Sequence, residues 1–326
     1  MDLENMQINN INSMIRIAKK YYELNMSQEE ISLQEEISKS SVSRMLKKAA
    51  MMGFVRHEIV YPIKSVAQQE QLIRQMFDIE HLFIVPKMVD DLDIRLSDTC
   101  RTVAQDLNRF ISDREIVSVS WGRTIEKLSS LLVAPVPPKK GIKIVQLNGS
   151  IATSVLSTKT AGILERFTEA YSGVGYILAA PAFVDNEDIA SAIKMDSRIR
   201  SVLDMAREST IAVFGVGQLS EQSVLVERGA ITSDDVRILS GKGAVGDVCS
   251  RFFDINGKAV DQTYEARTIG MDLDDLKKKK HRIGIAVGIE KADAIIGALA
   301  GKLMTSLYMD EMTASFLITR AQELGY

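Results

Sequence analysis

The chain has 326 residues, a net charge of −3 at pH 7 and 46% hydrophobic residues, which fits a globular protein of two domains. Its two cysteines and three histidines are scattered, which disfavours a disulfide framework, a metal site and a Ser-His-Asp triad. No apolar run approaches the ~20 residues of a membrane span and the amino terminus is no signal peptide, so we expect a cytoplasmic protein.

The amino-terminal segment favours a helix-turn-helix. Ser27 with Glu30 forms a capping box, Ser38 is a second candidate N-cap, and Gly53 ends the last helix. Residues 54–61 are rich in strand formers and suggest a wing. We assign 1–62 to a winged helix-turn-helix domain, whose predicted helices span 11–24, 28–35 and 39–51.

Basic charge is concentrated on the third predicted helix. Residues 29–36 carry four glutamates and no base, whereas 37–57 carry five bases and no acid. Early residues of such a helix reach base edges and phosphates in the major groove, and Arg44 suits guanine or a phosphate. A module that binds protein is the alternative. The predicted DNA-contacting residues are Ser38, Lys39, Ser40, Ser41, Ser43, Arg44, Lys47 and Lys48.

Two residues fit the motif poorly. Glu35 stands before the turn, where an apolar residue is usual, and Glu36 stands in the turn, where Gly or Asn is common. Either the second helix ends early or Leu33 takes over the packing.

Residues 64–79 predict an amphipathic helix, and we assign 63–80 to a linker that also serves as an oligomer contact. From residue 81 onward, short apolar runs alternate with helical segments. The predicted strands are 81–85, 115–120, 142–147, 176–181, 210–217, 282–288 and 303–309. The predicted helices are 97–111, 123–132, 159–171, 186–207, 220–228, 291–300 and 311–322.

This alternation predicts an α/β fold. Doubly apolar strands separated by helices are typical of a mostly parallel sheet that helices cover on both faces. We therefore assign 81–326 to one large, doubly wound domain. The GxGxxG pattern at 241–246 comes late in the chain, after a capped helix, so we do not interpret it as a dinucleotide site.

Several blocks in this order resemble the SorC family of bacterial sugar-responsive transcriptional regulators. The resemblance spans residues 14–324 and includes SQEEI and ISKSSVSRMLKKA at the amino terminus. The more distinctive blocks are VSWGRTIEKL (119–128), VQLNGS (145–150), AVGDVCSRFFDINGK (244–258), RTIGMDLDDL (267–276) and GIEKADAIIGAL (288–299).

The resemblance implies a large domain like sugar-phosphate isomerases in fold that acts as a ligand sensor. It also implies a homo-oligomer, a dimer or tetramer, that binds operator DNA under the control of a phosphorylated sugar or related metabolite. Because Asn148 stands where some members carry other polar or charged residues, ligand identity does not carry over. The implied effector-binding residues are Asn148, Gly149, Ser150, Ile151, Gly217, Arg228, Asp247 and Lys291.

Physical reasoning supports part of this set. Ligands bind beyond the carboxyl ends of parallel strands, and Asn148–Ser150 directly follow a predicted strand. There we expect Gly149 to let the backbone approach a ligand and free N–H groups to bind an oxyanion. Lys291 begins a predicted helix and suits an anion, whereas Asp247 suits sugar hydroxyls.

We therefore predict a transcriptional regulator, specifically a repressor of a carbohydrate or nucleoside catabolic operon, with no catalytic residue, metal or cofactor. The alternative is an isomerase-like enzyme with an appended helix-turn-helix, in which Asp247 and Lys291 would be the acid and base.

Overall fold

The computed structural model describes residues 3–55, 66–150 and 159–326. Contacts divide the chain into two compact units, residues 1–61 and 62–326. The predicted wing is mostly outside the described residues, since only 54 and 55 of it are described.

The first unit is built from three helices around a small apolar core. They are α1 (Leu3–Tyr22), α2 (Gln28–Gln34) and α3 (Lys39–Met51). Ser27 and Glu30 form the predicted capping box, and the Ser38 side chain accepts the N–H of Ser41 at the start of α3. The core side chains, one face from each helix, are Met14, Ile17, Ala18, Ile31, Val42, Leu46 and Ala49.

The turn between α2 and α3 resolves the poor fit of the two glutamates. Helix α2 ends early, at Gln34, and Leu33 is 76% exposed, so Leu33 does not take over the packing. Glu35 instead binds two cations of α1, Arg16 and Lys20, each at 2.7 Å. Glu36 adopts the left-handed conformation, φ 55°, that Gly or Asn usually supplies at this point.

The second unit contains a seven-stranded sheet whose strand pairs are all parallel. Its order across the sheet is β1-β10-β9-β5-β2-β3-β4. Six of the seven strands arise from predicted ones, whereas β4 shares only Tyr176 with the strand expected over 176–181, because residues 177–180 are not in a strand. The strands are β1 (His81–Val85), β2 (Ile116–Val119), β3 (Lys143–Gln146), β4 (Val174–Tyr176), β5 (Ile211–Gly215), β9 (His281–Ile285) and β10 (Ser306–Asp310).

Helices cover both faces of this sheet, as the continuous apolar strands predict. Along β5, Ile211 and Val213 pack on one face and Ala212 and Phe214 on the other. The first face carries α5 (Leu92–Phe110), α6 (Arg123–Ser130) and α7 (Lys159–Ala170). The second carries α4 (Ala67–Met76), α9 (Ser197–Glu208), α14 (Ala292–Ala300) and α15 (Glu311–Glu323).

A small antiparallel sheet is the main element that the sequence did not predict. It consists of β6 (Gly217–Gln218), β7 (Ala244–Val248) and β8 (Arg251–Asp254), in that order. The GxGxxG pattern spans the end of α11 and the start of β7, so it does not connect a parallel strand to a helix. The remaining helices are α8 (Glu187–Met195), α10 (Val224–Glu227), α11 (Ser233–Gly241), α12 (Gln262–Arg267) and α13 (Leu273–Lys277).

Two predicted helical segments differ from the structure. The single helix expected over 186–207 is two helices, α8 and α9, because Asp196 ends the first and caps the second with its carboxylate. The helix expected to be a linker, α4, lies within the second unit: Ile73 is fully buried and Gln69 donates to the Ser315 hydroxyl of α15 at 2.7 Å.

Candidate functional site

The seven-stranded sheet reverses its winding direction between β2 and β5. Strands β2, β3 and β4 follow one another toward one edge, and β5, β9 and β10 follow one another toward the other. Loops that leave neighbouring strands in opposite directions open a crevice at their carboxyl ends, where α/β proteins bind ligands. A cavity of about 560 Å³ lies here, lined by the loops after β2, β5 and β9.

Four of the predicted effector-binding residues line this cavity: Asn148, Gly217, Asp247 and Lys291. Gly149, Ser150 and Arg228 do not line it; Arg228 lies at the carboxyl end of α10. Ile151 is outside the described residues.

The ammonium of Lys291 has no ion-pair partner among the described residues. Lys291 lies in a 3-10 turn (Ile289–Lys291) between β9 and α14. Burial lowers the pKa of its ammonium, although the carboxylates of Glu290 and Asp247 act in the opposite direction. Among the described residues, no side chain or carbonyl forms a hydrogen bond or ion pair with it. A desolvated cation of this kind is costly unless an anion joins it.

Asp247 lines the cavity from the carboxyl end of β7. Burial raises the pKa of its carboxyl to about 6, opposed by the N–H of Ser250 and by the charge of Lys291. Gly217 pairs with Asp247 across the small sheet, and a Cβ at Gly217 would overlap the Asp247 Oδ1 atom. Residue 217 is therefore glycine because the Asp247 carboxylate occupies the space of a Cβ. The sequence did not reveal this reason.

Asn148 is held at the cavity wall by its amide nitrogen. This nitrogen donates to the Ser250 hydroxyl at 2.9 Å, whereas the amide oxygen is buried and has no partner. Ser250 and Cys249 form the tight turn between β7 and β8, and both are left-handed, with φ 67° and 53°. The free acceptor of Asn148 and the carboxylate of Asp247 suit the hydroxyl groups of a ligand.

The backbone after β3 does not offer the oxyanion site that we expected. The N–H of Gly149 donates to Ile269 O at 3.0 Å, and the N–H of Ser150 donates to Ala180 O at 2.8 Å. The missing Cβ of Gly149 makes room for the carbonyl carbon of Pro181, 2.5 Å from where that atom would lie, and not for a ligand. Both amides are used by the fold, so any anion contact must come from elsewhere.

The basic wall of the cavity is the part that the sequence analysis missed. Arg123 and Lys127 are four residues apart on α6 and so share one helix face, and Arg166 of α7 donates to the Ser129 hydroxyl at 2.9 Å. The indole of Trp121 also lines the cavity and donates to Gly149 O at 2.7 Å. The block VSWGRTIEKL contains Trp121, Arg123 and Lys127, and the spacing of Arg123 and Lys127 on α6 is the signal for this wall, whereas Arg166 lies outside the block.

The predicted DNA-contacting residues lie on α3 and at its start. Ser38 is exposed, but its hydroxyl caps the helix; Ser41 and Ser43 are half-buried. Arg44 donates only within its own helix, to Ser40 O at 3.3 Å and to the Ser41 hydroxyl at 3.5 Å. The other exposed residues of the predicted set are Lys39, Ser40, Arg44, Lys47 and Lys48.

Two further searches of the described residues are informative. No three His, Cys, Asp or Glu side chains come together as they would to hold a metal ion. None of the helices in the same residues combines the length and the apolar character that a bilayer crossing requires.

Comparisons with known proteins agree with this arrangement. The family described as "Putative sugar-binding domain" matches residues 61–319. The deoxyribonucleoside regulator of Bacillus subtilis is 32% identical over 98% of this chain and 99% of its own length. The sorbitol operon regulator of Klebsiella pneumoniae is 26% identical over 94% of this chain and 98% of its own.

Solved structures show the same fold. The full-length sorbitol operon regulator SorC of Klebsiella pneumoniae superposes with a TM-score of 0.72 at 24% identity, covering 95% of this chain and 99% of its own. A domain of a possible sugar-binding transcriptional regulator of Arthrobacter aurescens also gives 0.72, at 26% identity, over 79% of this chain and 100% of its own. These relatives are regulators and not enzymes, which argues against the isomerase alternative. The chain belongs to the SorC family of sugar-binding transcriptional regulators.

Proposed function

We propose that this protein represses a carbohydrate or nucleoside catabolic operon, and that a phosphorylated, sugar-like effector bound in the cavity controls its affinity for operator DNA. One observation carries the proposal: Lys291 has no partner among the described residues, yet it lies in one cavity with Asp247 and with the unpartnered amide oxygen of Asn148. The ammonium of such a site attracts an anion, and the two oxygens accept hydrogen bonds from hydroxyl groups.

The charges of the cavity wall fit a sugar phosphate. Arg123, Lys127 and Arg166 line the cavity together with Lys291, and the carboxylates of Asp93, Glu126 and Glu290 line it together with Asp247. Arg123 is the first residue of α6, where backbone N–H groups also favour an anion. Of the two relatives named above, one is called a deoxyribonucleoside regulator and the other a sorbitol operon regulator. Both names point to polyhydroxylated ligands with hydroxyls for Asp247 and Asn148.

We assign DNA binding to a helix-turn-helix formed by α2 and α3. Ser40, Arg44, Lys47 and Lys48 occupy positions i, i+4, i+7 and i+8, so they share one face of α3, and all four are exposed. On that face Arg44 reads a base or a phosphate, and the lysines supply electrostatic attraction to the backbone. The acidic helix α2 faces away from the duplex.

Effector and operator are coupled through the oligomer. A dimer or tetramer presents two DNA-reading units whose spacing must match half-sites about one helical turn apart, or a multiple of it. An effector that changes this spacing weakens operator binding, and by linkage the operator weakens effector binding by the same factor.

Thermal unfolding of the full-length protein tests the cavity. The panel holds sorbitol 6-phosphate, 2-deoxyribose 5-phosphate, ribose 5-phosphate, the free sugars and inorganic phosphate. A ligand at a hundred times its Kd stabilises the folded state by about 2.7 kcal/mol. We expect one phosphorylated sugar to raise the unfolding temperature and its free sugar to do so far less.

The matched variants are Lys291→Met and Lys143→Met. Lys143 begins β3, at the amino end of the sheet and so at the edge opposite the cavity, and its side chain is exposed. Lys291→Met should abolish the shift and Lys143→Met should retain it, with operator binding unchanged in both. If Lys291→Met responds like the wild type, the anion site lies elsewhere; if no compound shifts the wild type, the proposed effector class is wrong.

A further inference from the structure

A buried guanidinium lies just behind the cavity wall. Arg251 begins β8 and is only 4% exposed, yet it is not among the residues that line the cavity. It forms an ion pair with Glu265 at 3.0 Å. It donates hydrogen bonds to Glu265 O (2.8 Å), Glu265 Oε2 (3.0 Å), Met271 O (3.2 Å), Gly270 O (3.2 Å) and Thr268 O (3.4 Å).

All but one of these acceptors are carbonyls of a single stretch of backbone, from the end of α12 through residues 268–271. We call residues 268–271 the clamp loop. Its backbone forms isolated bridges to Asn148 and Phe183, but no other described donor bonds the carbonyls of Thr268, Gly270 and Met271, so these would be unpaired without the guanidinium. Five donors in one rigid plane satisfy them together, which no other side chain achieves.

The clamp loop in turn holds the backbone on either side of Asn148. The N–H of Met271 donates to Leu147 O at 2.8 Å, and Ile269 O accepts the N–H of Gly149 at 3.0 Å. Gly270 bridges Asn148 directly, and a Cβ at Gly270 would lie 2.8 Å from Asn148 Cα. The clamp loop therefore helps to set the position of Asn148 relative to the cavity, together with Gln146, whose side-chain amide donates to Asn148 O at 2.6 Å.

Asn148 is thus secured by two consecutive residues of one hairpin. Ser250 accepts its amide N–H directly, and Arg251 fixes its backbone through the clamp loop. The same hairpin carries Asp247, so the two groups assigned to ligand hydroxyls share one support.

We propose that Arg251 is a positioning residue for the effector: through the clamp loop it places the amide oxygen of Asn148 in the cavity without touching the ligand itself. This inference rests on the proposed function only for the effector. The placement of Asn148 can be tested without any ligand.

Trp121 makes that test possible. It is the single tryptophan of the chain, and its indole N–H donates at 2.7 Å to the carbonyl of Gly149, the residue after Asn148. A proton–nitrogen NMR spectrum of the full-length protein therefore holds one indole signal, whose shift and hydrogen-exchange rate report on the backbone that the clamp loop holds.

The first experiment compares Arg251→Lys with Arg207→Lys. Arg207 is an exposed arginine of α9 that pairs with Asp204 and Asp275, away from the cavity. A lysine at 251 keeps the charge but loses the planar fork. We expect the indole signal to move and to exchange about tenfold faster or more in Arg251→Lys, and to stay unchanged in Arg207→Lys. An unchanged indole signal in folded Arg251→Lys overturns the proposal.

If Arg251→Lys does not fold, Glu265→Gln takes its place. This variant removes the one charged partner of Arg251 and leaves its carbonyl acceptors, so we expect a smaller change of the same indole signal. No change in Glu265→Gln would overturn the proposal equally.

The second experiment separates positioning from general loosening. Ribose 5-phosphate uses Asn148 and the cation cluster, whereas inorganic phosphate uses the cations alone. We expect Arg251→Lys to weaken ribose 5-phosphate about tenfold while inorganic phosphate stays within about twofold, and to have no further effect in an Asn148→Ala background. Equal weakening of both probes contradicts positioning. If ribose 5-phosphate fails to bind the wild type, the proposed effector class is in doubt, and the indole signal alone decides the role of Arg251.

Discussion

Two carboxylates, one in each unit of the molecule, show opposite electrostatics. Glu35 in the three-helix unit is held by Arg16 and Lys20, and their hydrogen bonds lower its pKa to about 2. Asp247 in the α/β unit is held by one backbone N–H, and burial raises its pKa to about 6. The first carboxylate is satisfied by its own chain, and the second is not.

The cations repeat this contrast. Lys20 pairs with Glu35 at 2.7 Å, whereas the ammonium of Lys291 has no hydrogen bond or ion pair with any residue that the structure describes. A charge paired within the chain serves the fold, and a desolvated charge without a partner disfavours folding unless a ligand joins it. The difference indicates where to look for the ligand: Asp247 and Lys291 of the α/β unit form no ion pair with a described residue.

The largest expected effect comes from closing the space beside Asp247. In Gly217→Ala the new Cβ overlaps the carboxylate oxygen and displaces it. We expect effector affinity, measured by calorimetry, to fall about a hundredfold, or ~2.8 kcal/mol at 1.4 kcal/mol per factor of ten. Gly241→Ala, whose Cβ meets nothing within 4 Å, is the control. Wild-type affinity in Gly217→Ala would show that Asp247 is not a ligand contact.

The next effect concerns the exposed charges of the first unit. Arg44→Ala should weaken binding to operator DNA by ~1–3 kcal/mol if Arg44 reads a base. Lys48→Ala should weaken all sequences alike and reduce the salt slope by about one. Fluorescence anisotropy at several salt concentrations distinguishes the two variants. If Arg44→Ala binds operator DNA as tightly as the wild type, Arg44 does not contact the DNA.

Asp247 should cost stability at neutral pH. Its folded pKa, about 6, exceeds the ordinary value of 3.8, so the folded state binds the proton more tightly. The penalty is full above pH 6 and disappears as the pH falls toward 4. Asp247→Asn should therefore raise the free energy of unfolding at pH 8 by an amount on the order of 2 kcal/mol, and by little at pH 4. Urea unfolding at both pH values, without effector, measures this difference. A lower free energy of unfolding for Asp247→Asn than for the wild type at pH 8 would contradict the prediction.

Glu35 should behave in the opposite way, with a smaller effect. Its folded pKa, about 2, lies below the ordinary value of 4.5, so its stabilisation is full above pH 4.5 and is lost as the pH falls toward 2. Glu35→Gln should lower the unfolding free energy of the first unit by about 1 kcal/mol at pH 7, because Arg16 is largely exposed. Glu29→Gln, which loses only an exposed pair at 3.4 Å, should change little. Equal free energies of unfolding for Glu35→Gln and Glu29→Gln at pH 7 would show that Glu35 does not stabilise the fold, and the contrast with Asp247 would then fail.

Much of the fold could be read from local patterns. The helices of the first unit followed from capping at Ser27 and Ser38 and from apolar spacing, which act within a few residues. Six of the seven strands of the parallel sheet followed from apolar runs between helices, and β4 lies almost wholly before its predicted run. The small antiparallel sheet could not, because β6 has only two residues and is separated from β7 by two helices.

Part of the candidate site could also be predicted from the sequence, and part could not. Asp247 and Lys291 could be predicted, because the resemblance and their charge next to strand ends marked them. The use of the Gly149 and Ser150 amides by Ile269 and Ala180 could not, because those partners lie at least 30 residues away and are not encoded locally.

The sequence by itself determined the order of elements, the polarity of each helix face and the residues able to carry charge, since these depend on near neighbours. Only the tertiary structure decided which charges found partners. Glu35 meets Arg16 and Lys20, and Arg251 meets the clamp loop, while Lys291 meets no described partner. The reason is that pairing depends on how distant segments pack, and packing is a property of the whole fold.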